Sequence, residues 1–302
     1  MASEVLVILL DFLLILVAAV PNVILFLVTL RHPSKNIDIK IIRIISIFDL
    51  LCVLSLFLEA CVSLVIYAFS IMYEVEKMYI LNNSLISMPG AMLGMSLAAI
   101  LSVVRCMAIV FRVRANNRVV HCFIVALALY IFSLCTVSYL RDDMFYGDKL
   151  LLRIVNPRDR WSWYTCSDIS IFTLSILAIV ISYIFIIHHY YSLRHLCELQ
   201  GIYLEGTIVG IIITVILYTL AILPRLALTF IRQLNPNVKY AYIGANCLLI
   251  FYGLPTVNAI FSLLLHEETR RLAMDILNPN RSRVFQTFEA RPSVEDQSSL
   301  VT

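Results

Sequence analysis

The sequence predicts an all-α membrane protein, a seven-transmembrane helix bundle. Its 302 residues are 61% hydrophobic and only 14% charged. A soluble domain of this length could not bury so much apolar side chain, so lipid is the expected solvent. Backbone polar groups in lipid must be paired within their own segment, and the apolar stretches lack the alternation of barrel strands. The spans are therefore predicted to be helices.

Seven apolar stretches are long enough to cross about 30 Å of hydrocarbon, which takes roughly 20 residues at a helical rise of 1.5 Å. The first contains Asp11 and follows no basic segment, which argues against a cleaved signal peptide. An odd number of spans places the two termini on opposite sides of the membrane. The predicted spans are 5–30, 41–69, 85–111, 119–140, 169–190, 207–231 and 240–265.

The lysines and arginines beside the spans predict the orientation, because they are enriched in cytoplasmic segments. Their bias places the N-terminus outside a plasma membrane and the C-terminus in the cytoplasm. Residues 1–277 are predicted to form the membrane domain, with a loop at 141–168 and a short amphipathic eighth helix at its end. Residues 278–302 are predicted to be a disordered cytoplasmic tail. Asn82 begins an Asn-Asn-Ser sequon that would lie outside, as a glycosylation site.

Composition also limits the chemistry. The formal charge of +3 is too small to indicate a nucleic-acid partner. The eight cysteines form no CxxC or Cys/His pattern, so they are predicted to be small core residues, with Cys166 in the outer loop. Neither a metal nor a cofactor is expected, and no cluster typical of an enzyme's catalytic residues is present. The lipid bilayer is the first expected partner.

Polar residues at membrane depth are costly and are therefore candidates for function. Asn22, Asp49 and Asn258 each lie roughly seven or eight residues from the inner ends of three different spans, or about 12 Å deep. They are predicted to share one layer, either as structural contacts between helices or as part of a switch between two packings. Arg105 lies nearer the inner surface, where an arginine most often extends to the interface.

A second group of polar residues occupies the outer halves of the spans. Asp11, Glu59 and Arg225 belong to it, and Arg225 follows Pro224, which can kink a helix and open space inside the bundle. The alternatives are a crevice for an extracellular ligand or an internal ion pair between Arg225 and one of the acids. Further candidates for this pocket are Ser87 and Tyr252, with Asn246 and Tyr218 as weaker ones.

Several segments match a known pattern in order, depth and spacing. They are Val20-Pro21-Asn22, Ile47-Phe48-Asp49-Leu50-Leu51, Ser102-Val103-Val104-Arg105-Cys106-Met107-Ala108-Ile109, Ala221-Ile222-Leu223-Pro224 and Asn258-Ala259-Ile260-Phe261-Ser262. Through them the chain resembles the rhodopsin-like G-protein-coupled receptors, and among these the divergent nematode serpentine chemoreceptors. The resemblance covers residues 5–277.

The resemblance implies a receptor that senses an extracellular small molecule or peptide and signals through a heterotrimeric G protein. Arg105 would engage the G protein when the sixth helix swings outward, and Tyr183 would support it. Asp49 would anchor the polar network, and Pro224 would be the hinge of the swing. Activation would be a population shift towards the state that binds the ligand better.

The chain also departs from the family pattern. Val104 replaces the acid beside the arginine, and Glu205, at the start of the sixth helix, could substitute for it in restraining Arg105. Ala259 and Ser262 replace the proline and tyrosine of the seventh helix. Tyr252 stands where opsins carry the lysine that binds retinal, so a light receptor is not expected.

A transporter or channel is the alternative function. The intramembrane charges Asp11, Asp49, Glu59, Arg105 and Arg225 could line a path for an ion or proton. No repeated half and no pair of broken helices is evident in the sequence, which argues against the common transporter folds.

Overall fold

Long helices make up most of the chain that the structure describes. This computed structural model describes residues 2–31, 37–69, 81–141, 144–147, 154–157, 162–199, 205–234, 253–265 and 273–274. The helices of 12 or more residues in these ranges are α1 (Ala2–Arg31), α2 (Ile37–Phe69), α3 (Met88–Ile109), α4 (Asn117–Leu140), α5 (Trp163–Leu199), α6 (Glu205–Leu234) and α7 (Leu254–Leu265).

Four of these helices are long and apolar enough to cross a bilayer. The apolar stretches have 24 to 30 residues each, whereas crossing the hydrocarbon takes about 20. The prediction of a helical protein compatible with several membrane crossings is therefore confirmed for α2 to α5. The four stretches are Ile37–Val62, Leu85–Ile109, Asn117–Leu140 and Trp163–Ser192. The predicted tail lies outside the described residues, as does the predicted eighth helix apart from Ala273 and Met274.

Polarity is arranged as lipid requires. Leucine, valine and phenylalanine side chains are exposed along the helices, for example Leu16 on α1 and Leu129 on α4. Asn22, Asp49 and Asn258 are buried. Because lipid solvates apolar but not polar groups, side chains that can hydrogen-bond gain most by facing other helices.

α3 lies at the centre of the packed helices. Of its apolar stretch, 67% is buried, against 22% for α4, which is peripheral. α3 packs chiefly against α5 and α2, and α7 contacts α1, α2, α3 and α6. The side chains of α3 are therefore positioned to contact groups from several neighbouring helices.

The predicted loop at 141–168 is partly wrong. Met144–Gly147 (β1) and Ile154–Pro157 (β2) pair as an antiparallel hairpin, with Met144 opposite Pro157. α5 then starts at Trp163, where the Ser162 hydroxyl accepts a hydrogen bond from the Thr165 amide at 3.2 Å.

The early start of α5 moves two polar residues from the predicted loop into a helix. Asp168 is buried there, and Cys166 is half-buried with a free thiol. The neighbouring Ser167 forms a hydrogen bond with the Tyr130 hydroxyl of α4 at 3.0 Å. Polar side chains in this turn of α5 thus contact protein, which is why apolar periodicity alone placed the helix start too late.

α2 and α3 approach closely at two glycines. An added Cβ at Gly90 would lie 2.5 Å from Cys52 Sγ and 3.4 Å from the Phe48 carbonyl oxygen. At Gly94 it would lie 3.0 Å from Asp49 Oδ1. The two glycines are four residues apart, the spacing that lets membrane helices pack with little separation. Their missing side chains set the distance between α2 and α3.

We predict that Gly90→Ala destabilises the protein by about 1–3 kcal/mol, because the new methyl group would overlap Cys52 Sγ. Thermal unfolding in detergent would measure the loss. Adding Cys52→Ala should restore most of the stability, since Cys52 Cβ is 3.9 Å from the new methyl group. A double variant no more stable than Gly90→Ala alone would contradict this packing.

Candidate functional site

A chain of hydrogen bonds between side chains connects three helices inside the bundle. Asp49 on α2 is only 2% exposed, and its Oδ1 accepts a hydrogen bond of 3.2 Å from Asn258 Nδ2 on α7. The Tyr218 hydroxyl on α6 donates to Asn258 Oδ1. Asn258 thus uses both ends of its amide and links α2 to α6 through α7.

The backbone of α3 forms one wall of this chain. A Cβ at Gly94 would lie 3.0 Å from Asp49 Oδ1 and 3.6 Å from Asn258 Nδ2, the two atoms of the hydrogen bond. Glycine therefore leaves just enough room for the Asp49–Asn258 pair. The Gly90–Gly94 spacing was the sequence signal for this close approach, and the sequence analysis did not use it.

Asn22 joins α1 to the same part of α7. Its Nδ2 donates to the Ala18 carbonyl at 2.9 Å and to the Pro255 carbonyl at 3.1 Å. Pro255 and Asn258 lie one turn apart on α7. The structure thus places Asn22, Asp49 and Asn258 around one segment of α7, as the predicted layer requires.

A small cavity lies next to this chain. Its volume is about 30 Å³, and it is lined by Arg105, Tyr183, Thr214, Tyr218, Asn258 and Ser262, with apolar residues completing the wall. A cavity of this size has room for one or two water molecules, and polar groups are present to bind them. Arg105 and Tyr183, predicted to act together, therefore face the same space as Tyr218 and Asn258.

Arg105 forms an ion pair that the sequence analysis missed. Its Nε lies 3.3 Å from Asp38 Oδ2, and the two side chains are only 17% and 20% exposed. Asp38 belongs to the first turn of α2. The sequence signal was an acid standing alone among apolar and basic residues near the inner end of a span. Glu205 begins α6, but its side chain lies outside the described residues.

Most of the predicted outer pocket lies outside the described residues. This holds for Tyr252 and Asn246 entirely and for the side chains of Asp11, Glu59, Pro224 and Arg225, whose backbones belong to α1, α2 and α6. Tyr218, a weaker candidate for that pocket, instead belongs to the inner chain, since its hydroxyl bonds to Asn258. Tyr218 and Pro224 lie under two turns apart on α6. Residue numbers alone therefore did not show that Tyr218 lies with Asn258 and not in the predicted ligand pocket.

Ser87 and Asn82 connect the start of α3 to the middle of α2. Asn83–Ser87 is a π-helical turn preceding α3, and the Ser87 carbonyl accepts a hydrogen bond from Cys52 Sγ at 3.6 Å. Asn82 Nδ2 donates to the Ser55 carbonyl at 3.2 Å. A glycan would be attached to this same nitrogen, and glycosylation of Asn82 stays a prediction.

Comparison with known proteins assigns no role to these side chains. No protein-family model matches the chain, and no curated protein matches it. The roles considered next for Asp49, Asn258, Tyr218 and Arg105 rest on the contacts between them.

We predict that Asn258→Ala destabilises the protein by about 1–2 kcal/mol, because it removes two hydrogen bonds and leaves Asp49 and Tyr218 buried without them. Thermal unfolding in detergent would report the loss. Thr219→Val is the matched control, since among the described residues the Thr219 hydroxyl bonds to the Val215 carbonyl of its own helix and to no other helix. Equal losses in the two variants would show that the Asp49–Asn258–Tyr218 hydrogen bonds contribute nothing specific to stability.

Proposed function

We propose that the chain is a G-protein-coupled receptor that senses an extracellular small molecule or peptide and signals through a heterotrimeric G protein. In this proposal all seven predicted spans cross the plasma membrane, with the N-terminus outside and a short eighth helix leading into a cytoplasmic tail. The resemblance of residues 5–277 to the rhodopsin-like receptors supports the proposal, and so do the contacts at the inner ends of the helices.

The observation that carries the proposal is the Asp49–Asn258–Tyr218 chain beside the cavity at Arg105. Tyr218 is on α6, the helix whose outward swing would open the inner face to a G protein. Such a swing must break or lengthen the bond to Asn258 on α7. In this proposal the Tyr218–Asn258 hydrogen bond is therefore present in the closed packing of the helices and absent from the open one, as a switch requires.

The second contact of this kind is the Arg105–Asp38 ion pair. Val104 leaves Arg105 without an acidic neighbour in α3, and Asp38 supplies the carboxylate from α2. We assign Asp38 the restraining role that the sequence analysis gave to Glu205. Arg105 would have to leave Asp38 in order to bind a G protein.

The energies of these contacts suit a switch. A hydrogen bond between helices contributes about 1 kcal/mol net, and a partly exposed ion pair about as much. Coupling between two sites in allosteric proteins is typically about 1–3 kcal/mol. A ligand that binds the open packing better by this amount could break both contacts, which is the population shift expected of a receptor.

Ligand binding is assigned to the outer halves of the helices. Asp11, Glu59 and Arg225 would provide its charged groups, with Ser87 and Tyr252 as polar neighbours. Tyr218 and Pro224 lie under two turns apart on α6. A ligand that moves α6 near Pro224 would therefore act on the Tyr218–Asn258 bond through the helix itself.

We predict that Tyr218→Phe raises ligand-independent signalling about fivefold in cells with a promiscuous G protein, because it removes the hydroxyl that bonds to Asn258. Second-messenger levels at equal surface expression would measure this. Tyr130→Phe is the matched control, since it loses a hydrogen bond to Ser167 between α4 and α5. Adding Arg105→Ala should abolish the signal, and a signal that persists would contradict the assigned role of Arg105.

We predict that Asp38→Asn also raises ligand-independent signalling severalfold, because Arg105 loses its ionic partner while the shape of the side chain is retained. The same assay would report it. Asp38→Glu, which keeps the charge, should stay close to the original protein. Reduced signalling in Asp38→Asn at equal expression would mean that the ion pair supports the active packing.

The transporter alternative makes a different prediction. A conducting path would carry current or uptake in proteoliposomes that contain this chain and no G protein. The sequence shows no repeated half and no pair of broken helices, so we rank the receptor above a transporter. Ligand-dependent uptake without a G protein would reverse this preference.

A further inference from the structure

A seven-residue connector, 110–116, lies at the membrane boundary. It joins α3 to α4, and both helices are long and apolar enough to cross a bilayer. A connector this short between two crossing helices must lie at one face of the membrane. Its position therefore follows from the helices themselves and holds whichever side of the membrane it faces.

The connector and the first turn of α4 carry three arginines and no acidic residue. Arg112, Arg114 and Arg118 are all exposed. The sequence contains no aspartate or glutamate from residue 77 to residue 141. Arg105, one turn inside α3, is already paired with Asp38. The three exposed arginines thus form a basic patch directly beside the membrane.

Apolar side chains alternate with these arginines and are equally exposed. Phe111 is 59% and Val113 is 50% exposed, and Arg112 between them adopts a left-handed backbone conformation with φ of 56°. The Val113 amide donates to the Met107 carbonyl at 3.0 Å, so α3 ends in a hydrogen-bonded turn. A hydrogen-bonded turn therefore presents apolar and cationic groups together.

Phe111 extends the apolar part of this surface to α5. Its ring centroid lies 6.3 Å from that of Phe185, which is itself exposed on the outside of the helices. The Phe111–Phe185 pair therefore continues the exposed apolar surface from the connector onto α5.

We propose that this surface, formed by residues 111–114, Arg118 and Phe185, binds anionic phospholipid headgroups. The guanidinium groups of the three arginines bind the phosphate and carboxylate oxygens. Phe111, Val113 and Phe185 contact the upper acyl chains. Phosphatidylcholine offers the same phosphate with a compensating cation, so the surface should distinguish it from phosphatidylserine. This inference is independent of the proposed receptor function.

The test uses the purified full-length chain in detergent micelles supplied with equal amounts of phosphatidylserine and phosphatidylcholine. Native mass spectrometry would give the ratio of the two lipids that remain bound. An arginine near an anionic surface contributes about fivefold to binding. We therefore expect the original protein to prefer phosphatidylserine by at least about tenfold, and this preference to fall at high salt.

The variants compare the two ends of α4. Arg118→Gln should lower the phosphatidylserine preference about fivefold, and Arg112→Gln/Arg114→Gln/Arg118→Gln should bring it close to parity. Arg141→Gln, an exposed arginine at the other end of α4, should leave the preference unchanged. Unfolding temperatures in phosphatidylcholine micelles would show that all variants remain folded.

Three results would overturn the proposal. One is an original protein that binds both lipids equally. Another is a similar effect of Arg118→Gln and Arg141→Gln, which would indicate a general response to charge. If the triple variant keeps its lipid preference but loses signalling, the surface serves a protein partner and not lipid.

Discussion

Burial of the Asp49 side chain among helices surrounded by lipid is the constraint on which the contacts between α2, α3, α6 and α7 depend. Asp49 is almost fully enclosed, so its oxygens need donors from neighbouring helices. Asn258 donates one hydrogen bond to Asp49 and accepts another from the Tyr218 hydroxyl. Gly94 lets α3 approach without displacing either atom. These contacts join four helices at one place, where Asp49 Oδ2 and Asn22 Oδ1 stay buried without a hydrogen-bond partner among the described residues.

The contacts around Arg105 show how the bundle holds an arginine that has no acid beside it in α3. Val104 is buried and apolar, and the charge of Arg105 is met by Asp38 from the adjacent helix. Both the ion pair and the Tyr218–Asn258 bond join different helices, and Arg105, Tyr218 and Asn258 all line a cavity large enough for water. Under the proposed function, such contacts would hold one packing while leaving another within reach of a ligand's binding energy.

The sequence predicted the residues of the inner layer better than their partners. Asn22, Asp49 and Asn258 were found because polar side chains are conspicuous in apolar spans and helical rise converts position into depth. Tyr218 was assigned to the wrong layer, because its distance from Pro224 does not reveal which way its hydroxyl points. Asp38 was missed, since the ion pair joins residues 67 positions apart in the chain. The start of α5 was placed too late because its first turns are polar and contact other helices.

The sequence by itself determined the solvent, the helical class and the depth of the polar residues, because these follow from local apolar content and from the need to pair backbone groups within lipid. Only the tertiary structure decided which side chain bonds to which. Those partners depend on how far each helix is rotated and on where small residues such as Gly90 and Gly94 let two backbones meet. Rotation and close approach arise from packing between distant segments, and no local pattern encodes them.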